Sequence, residues 1–108
     1  MLIIVVYVPV DHVLSVVEAL ANAGAGEIGC YRACSFQSVG QGQFQPMKGA
    51  EPFIGQVGVL ESVEEVRLEM VCSEAAIRHA LMAMIAAHPY EVPAYHVLNA
   101  LTLDDFVS

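Results

Sequence analysis

The chain has 108 residues, of which 56% are apolar before its eight glycines are counted, and 12 acidic side chains face 4 basic ones for a net charge of −8. Ordinary globular domains reach about 45–50% apolar with glycine included, so intrinsic disorder is excluded. Four cations exclude a surface that tracks nucleic-acid phosphates.

One domain of this size hides one core, so residues 1–108 are expected to form a single unit whose apolar surplus points to self-association. Leu2 to Val8 is a nearly continuous run of β-branched residues that predicts a buried strand, stopped by Pro9. Asp11 is the expected N-cap of a helix in which Val13, Val16, Val17 and Leu20 recur at helical spacing. Gly24 and Gly26 suit its end. Gly29 to Val39 reads as extended, and Gly40 to Pro46 as a hairpin or long loop. Between Gln37 and Leu60 the only charges are Lys48 and Glu51.

Glu65 to Cys72 alternates, with Val66, Leu68, Met70 and Cys72 on one side, and predicts a strand. Ser73 caps an expected helix from Glu74 to about Ala87, with Ile77, Ala80, Leu81, Met84 and Ile85 inward and Pro89 ending it. Ala94 to Leu98 is a short last strand. The order predicts an α+β, ferredoxin-like split βαβ sandwich: an antiparallel sheet, two helices on one face and an extra hairpin.

Several apparent motifs dissolve on inspection. Gly24-Ala-Gly-Glu-Ile-Gly29 matches a dinucleotide string, but its helix comes before it, and that end of a helix repels phosphate. Cys30 and Cys34 on a strand stand about 13 Å apart and cannot share one ion. Three cysteines make no disulfide framework. The apolar N-terminus lacks the basic lead of a signal peptide, and no apolar run approaches the roughly 20 residues of a spanning helix. A cytoplasmic protein that touches no membrane is expected.

His79 and His88 are nine positions apart and point to opposite sides of a helix. His88 stands at a helix C-terminus, where a cation is favoured, and Tyr90 and Glu91 follow in a tight turn. It is either a capping residue or part of a site. Glu61, Glu64, Glu65 and Glu69 read as a solvated acidic face. Tyr31, Phe36, Phe44 and Phe53 have no interleaved cations and read as packing or subunit-interface residues.

Five blocks then carry a resemblance: Ala23 to Phe36, Gly40 to Pro46, Gly49 to Gly55, Glu65 to Glu69, and His88-Pro-Tyr-Glu-Val-Pro-Ala-Tyr95. In order and spacing they resemble the CutA-like or PII-like domain inserted in Nif-three-like proteins, which also occurs as free-standing chains. The resemblance implies the same ferredoxin-like fold and a homo-oligomer, a trimer ahead of a dimer, formed through sheet edges and the hairpin. The family pattern has histidine at Glu27, asparagine at Cys30 and an acid at Val92, so three polar positions of the pattern are changed. The metal ligands of Nif-three-like enzymes lie outside these blocks, and no hydrolase activity is implied.

The expected function is a non-enzymatic binding or regulatory module. Its ligand site would form where Tyr31, Cys34, Ser35 and Phe36 approach the turn of His88, Tyr90 and Glu91. The ligand would be a small molecule or a divalent metal ion, the latter on His88 and Glu91. The alternative is an interaction subunit that partners a Nif-three-like protein, with Phe44 and Phe53 at the interface. A metal-dependent hydrolase ranks third, because no nucleophile–base pair is legible.

Overall fold

A computed structural model describes residues 1–107. Strand β1 (Leu2–Pro9) lies in the middle of a four-stranded antiparallel sheet. A 3-10 turn (Val10–His12) leads into α1 (Val13–Asn22), and then come β2 (Phe36–Phe44), β3 (Glu61–Cys72), α2 (Ile77–Ala87) and β4 (Tyr95–Asn99). The spatial order is β2-β3-β1-β4, so β2 and β4 are the edges.

The period of two along the strands decides which side chains meet the helices. Ile4, Val6 and Val8 of β1 share a face with Met70, Leu68 and Val66, their partners on β3. Val16 and Leu20 of α1 and Ala80 and Met84 of α2 close this face into the core. Complete burial of a side chain such as Leu68 is worth about 1.5–3 kcal/mol. Tyr7, Arg67, Glu69, His96 and Leu98 alternate onto the opposite face, which carries no helix.

Both helices start later than the sequence predicts. Asp11 does not cap α1, because the chain leaves Pro9 through the 3-10 turn and the helix begins at Val13 without a side-chain cap. Ser73 Oγ accepts the Ala76 N–H at 3.2 Å, but this closes one turn ahead of α2. At the other end His88 N–H bonds the Met84 carbonyl, and His88 itself is extended (φ −75°, ψ 135°), as a residue before proline must be.

The expected extra hairpin is β2 and β3 themselves, both longer than their alternation implies. Phe36 pairs with Glu69 and Phe44 with Glu61, whereas β1 stops at Pro9 opposite Glu65. The far half of the hairpin therefore runs past the sheet, and the molecule measures 55 × 27 × 23 Å. The extended stretch expected from Gly29 begins only at Phe36. Before it the chain turns back on itself, with Ile28 and Tyr31 exchanging two backbone hydrogen bonds. Gly26 N–H fastens this turn to the Val71 carbonyl at 2.7 Å.

Candidate functional site

The site grows from the end of α2. His88 is only 6% exposed, and both ring nitrogens are engaged. Nδ1 accepts the Tyr90 N–H at 3.1 Å, so the proton sits on Nε2, which donates to the Tyr7 carbonyl at 2.7 Å. Burial lowers the His88 pKa, against the opposing pull of the Tyr7 carbonyl and Glu65. The ring is thus a neutral brace between the turn and β1.

That brace aims Tyr90 along the end of the sheet. Its ring centroid lies 6.0 Å from Phe44 and 6.4 Å from Phe53, and Phe53 meets the edge of His12 at 5.5 Å. The Tyr90 hydroxyl donates to Glu65 Oε2 at 2.7 Å. Burial and this carboxylate raise the phenol pKa far above its usual value. Glu65 stands across from Gly40, and its carboxylate lies over Gly42, where any Cβ would collide with it. Glu91 Oε1 accepts the Glu51 N–H at 3.1 Å and ties the hairpin loop to the same turn.

Between loop and turn lies a cavity of about 430 Å³, lined by Phe44, Pro46, Met47, Phe53, Tyr90, Glu65 and Glu91 among others. A second recess of about 350 Å³ opens on the helix-free face beside Tyr7, Ser38, Gly42 and Arg67, and Glu65 borders both. There Arg67 Nε lies 3.3 Å from Glu69, and Nη1 donates to the Tyr7 hydroxyl at 3.3 Å.

The structure divides the residues expected to form one site. His88, Tyr90 and Glu91 stand together. Tyr31, Cys34, Ser35 and Phe36 do not join them and line neither cavity. Phe36 pairs with Glu69, four residues along β3 from Glu65, or about 13 Å away. Their turn is held to the C-terminal end of β3, whereas His88 braces the C-terminal end of antiparallel β1. The two segments therefore belong to opposite ends of the sheet. His88 has no lone pair left for a metal ion, and among the described residues no group of three His, Cys, Asp or Glu side chains could hold one. Phe44 and Phe53, expected at an interface, face Tyr90 within the chain, although Phe53 stays 53% exposed.

Two members were missed. Glu65 looked like one acid of a solvated face, and only the β2–β3 register brings it to Gly42 and Tyr90. His12 carries a buried Nδ1 with no hydrogen-bond partner beside Phe53.

A split βαβ sheet with two helices on one face and a long hairpin is the CutA and PII-like form of the ferredoxin-like fold. The PII-like protein CutA from Nostoc sp. PCC 7120 superposes with a TM-score of 0.66 at 20% identity, over 93% of this chain and 81% of that one. Nearer in sequence is a Bacillus cereus protein related to NIF3, with a TM-score of 0.76 and 46% identity over 89% of this chain and 24% of that one. The GTP cyclohydrolase 1 type 2 homolog of Bacillus subtilis is 52% identical over 92 residues, which are 85% of this chain and 25% of the relative. No family model matches the chain. The chain is a CutA-like domain of the kind NIF3-like proteins carry, and it spans about a quarter of the length of the curated relatives it matches. Among the described residues no helix is long and apolar enough to cross a membrane.

Proposed function

We propose that this domain is a self-associating, non-enzymatic binding module whose ligand is a small molecule seated between the hairpin loop and the His88–Glu91 turn. One observation carries the reading: an open cavity of about 430 Å³ with aromatic walls and few polar groups, within the usual range of about 300–1,000 Å³ for ligand pockets. The polar atoms at its wall do not form a reactive pair. Tyr90 donates to Glu65, its phenol holds its proton tightly, and the His88 nitrogens are committed elsewhere. A divalent ion is not part of the proposal, because His88 offers no lone pair. The cyclohydrolase in the relatives' names is said of chains about four times as long.

Self-association is supported by the uncharged edge strand β2, where Val39 is 68% and Phe36 67% exposed, and by exposed Met47 and Leu60 beyond it. A trimer is the form favoured. A NIF3-like protein is the partner that the longer relatives support, and the free thiols of Cys30, Cys34 and Cys72 suit the cytoplasm.

Calorimetric titration of small aromatic compounds of each charge type tests the site. At least one class is expected to bind, and a Phe44→Ala, Tyr90→Ala variant to weaken it about tenfold or more. No binding by any class, or equal binding to the variant, would overturn it.

A further inference from the structure

We infer that the ligand of this cavity is an organic cation, an amine or amidine on a small aromatic or aliphatic frame; the inference rests on the reading of the cavity as a binding site. Charge is the first argument. The ionisable groups of the wall are Glu65, Glu91 and Tyr90, and none of the four basic residues Arg32, Lys48, Arg67 and Arg78 contributes to it. Arg67, the one closest in sequence to Glu65, turns to Glu69 and Tyr7 in the other recess. His88 is braced as the neutral imidazole and adds no positive charge.

The aromatic rings around Tyr90 add to that negative charge. Phe44 and Phe53 both lie beside Tyr90, at 6.0 and 6.4 Å between centroids. Aromatic faces attract cations through the negative side of their quadrupole. The Tyr90 hydroxyl donates a hydrogen bond to Glu65 Oε2, which enriches its ring further. Glu65 Oε1 lies over Gly42, which borders the second recess, so the carboxylate acts on the cavity through its charge. An anion such as a phosphate would meet two carboxylates here without a counter-charge. The net charge of −8 adds a long-range pull on cations.

Benzamidinium, benzamide and benzoate share one planar frame and differ in charge, so they separate the terms. Ligand-observed NMR titration of the whole chain is expected to show benzamidinium binding about tenfold tighter than benzamide, and benzoate not at all. Glu65→Gln, which keeps an acceptor for Tyr90, is expected to remove the benzamidinium advantage, so that benzamidinium and benzamide bind alike. Added salt should weaken benzamidinium alone, a readout that needs no variant. If benzamide or benzoate binds as tightly as benzamidinium, and Phe44→Ala, Tyr90→Ala still weakens binding about tenfold or more, the site stands and the cation inference falls. If none of the three binds, the site falls with it.

Discussion

Tyr90 Oη lies 2.7 Å from Glu65 Oε2, and that hydrogen bond joins the turn after α2 to the hairpin where it leaves the sheet. The pair closes one wall of the cavity and fixes the tilt of the aromatic cluster.

Removing the hydroxyl tests its weight. Tyr90→Phe keeps the ring but strips a donor from a partly buried carboxylate, and should cost about 1–2 kcal/mol. For a chain of this length the melting temperature should fall by about 5 °C or more. Thermal unfolding followed by circular dichroism checks this.

Gly42 and Gly40 form a matched pair on β2. A Cβ at Gly42 would meet the Glu65 carboxylate, whereas one at Gly40 meets nothing within 4 Å. The carboxylate is the far end of a flexible side chain, so Gly42→Ala should swing it away from Tyr90 rather than unfold the hairpin. It should therefore destabilise about as much as Tyr90→Phe, and the double variant should be no worse than either alone. Gly40→Ala should be nearly neutral. A thermodynamic cycle of the single and double variants reads the coupling.

His88 makes stability depend on pH in a stated direction. Its folded pKa lies below the ordinary 6.5, chiefly through burial. Below about pH 6.5 the unfolded chain takes up a proton that the folded chain refuses, so stability falls as pH drops through 6.5 toward the folded value. Above that window this residue contributes no slope. Urea midpoints for the native chain should decline across the window more steeply than for His88→Gln, which has a donor and an acceptor but no titration.

The three thiols should separate by reactivity. Cys72 is buried and its thiol pKa is raised by desolvation, while Cys30 is exposed and Cys34 half-buried. A thiol reagent should modify Cys30 and Cys34 promptly and reach Cys72 only on unfolding. Mass spectrometry of the peptides identifies which cysteine reacted.

Much of the sheet was legible because burial writes a period directly into the chain. Val66, Leu68, Met70 and Cys72 had one face to fill, and so did Ile4, Val6 and Val8. The length of β2 and β3 beyond the sheet was not legible, since Gly40 to Phe44 and Glu61 to Glu64 cover no core and show no apolar alternation. That His88, Tyr90 and Glu91 stand together was legible because a proline after a helix makes a rigid corner. That Tyr31, Cys34, Ser35 and Phe36 lie at the other end was not legible, because the end of the sheet that a loop reaches follows from strand register. The pairing of Phe36 with Glu69 and Gly40 with Glu65 sets that register across long loops. Glu65 was hidden for the same reason: its neighbours Gly42 and Tyr90 lie 23 and 25 residues away in the chain.

The central claim is that a small ligand sits against Tyr90 and not at the Tyr31–Phe36 turn. With four phenylalanines, four tyrosines and no tryptophan, the aromatic NMR spectrum can be assigned ring by ring. Titration with benzamidinium should shift the resonances of Phe44, Phe53 and Tyr90 and leave Tyr31 and Phe36 in place. Shifts at Tyr31 and Phe36 with Tyr90 unmoved, or no shifts at all, would contradict the account.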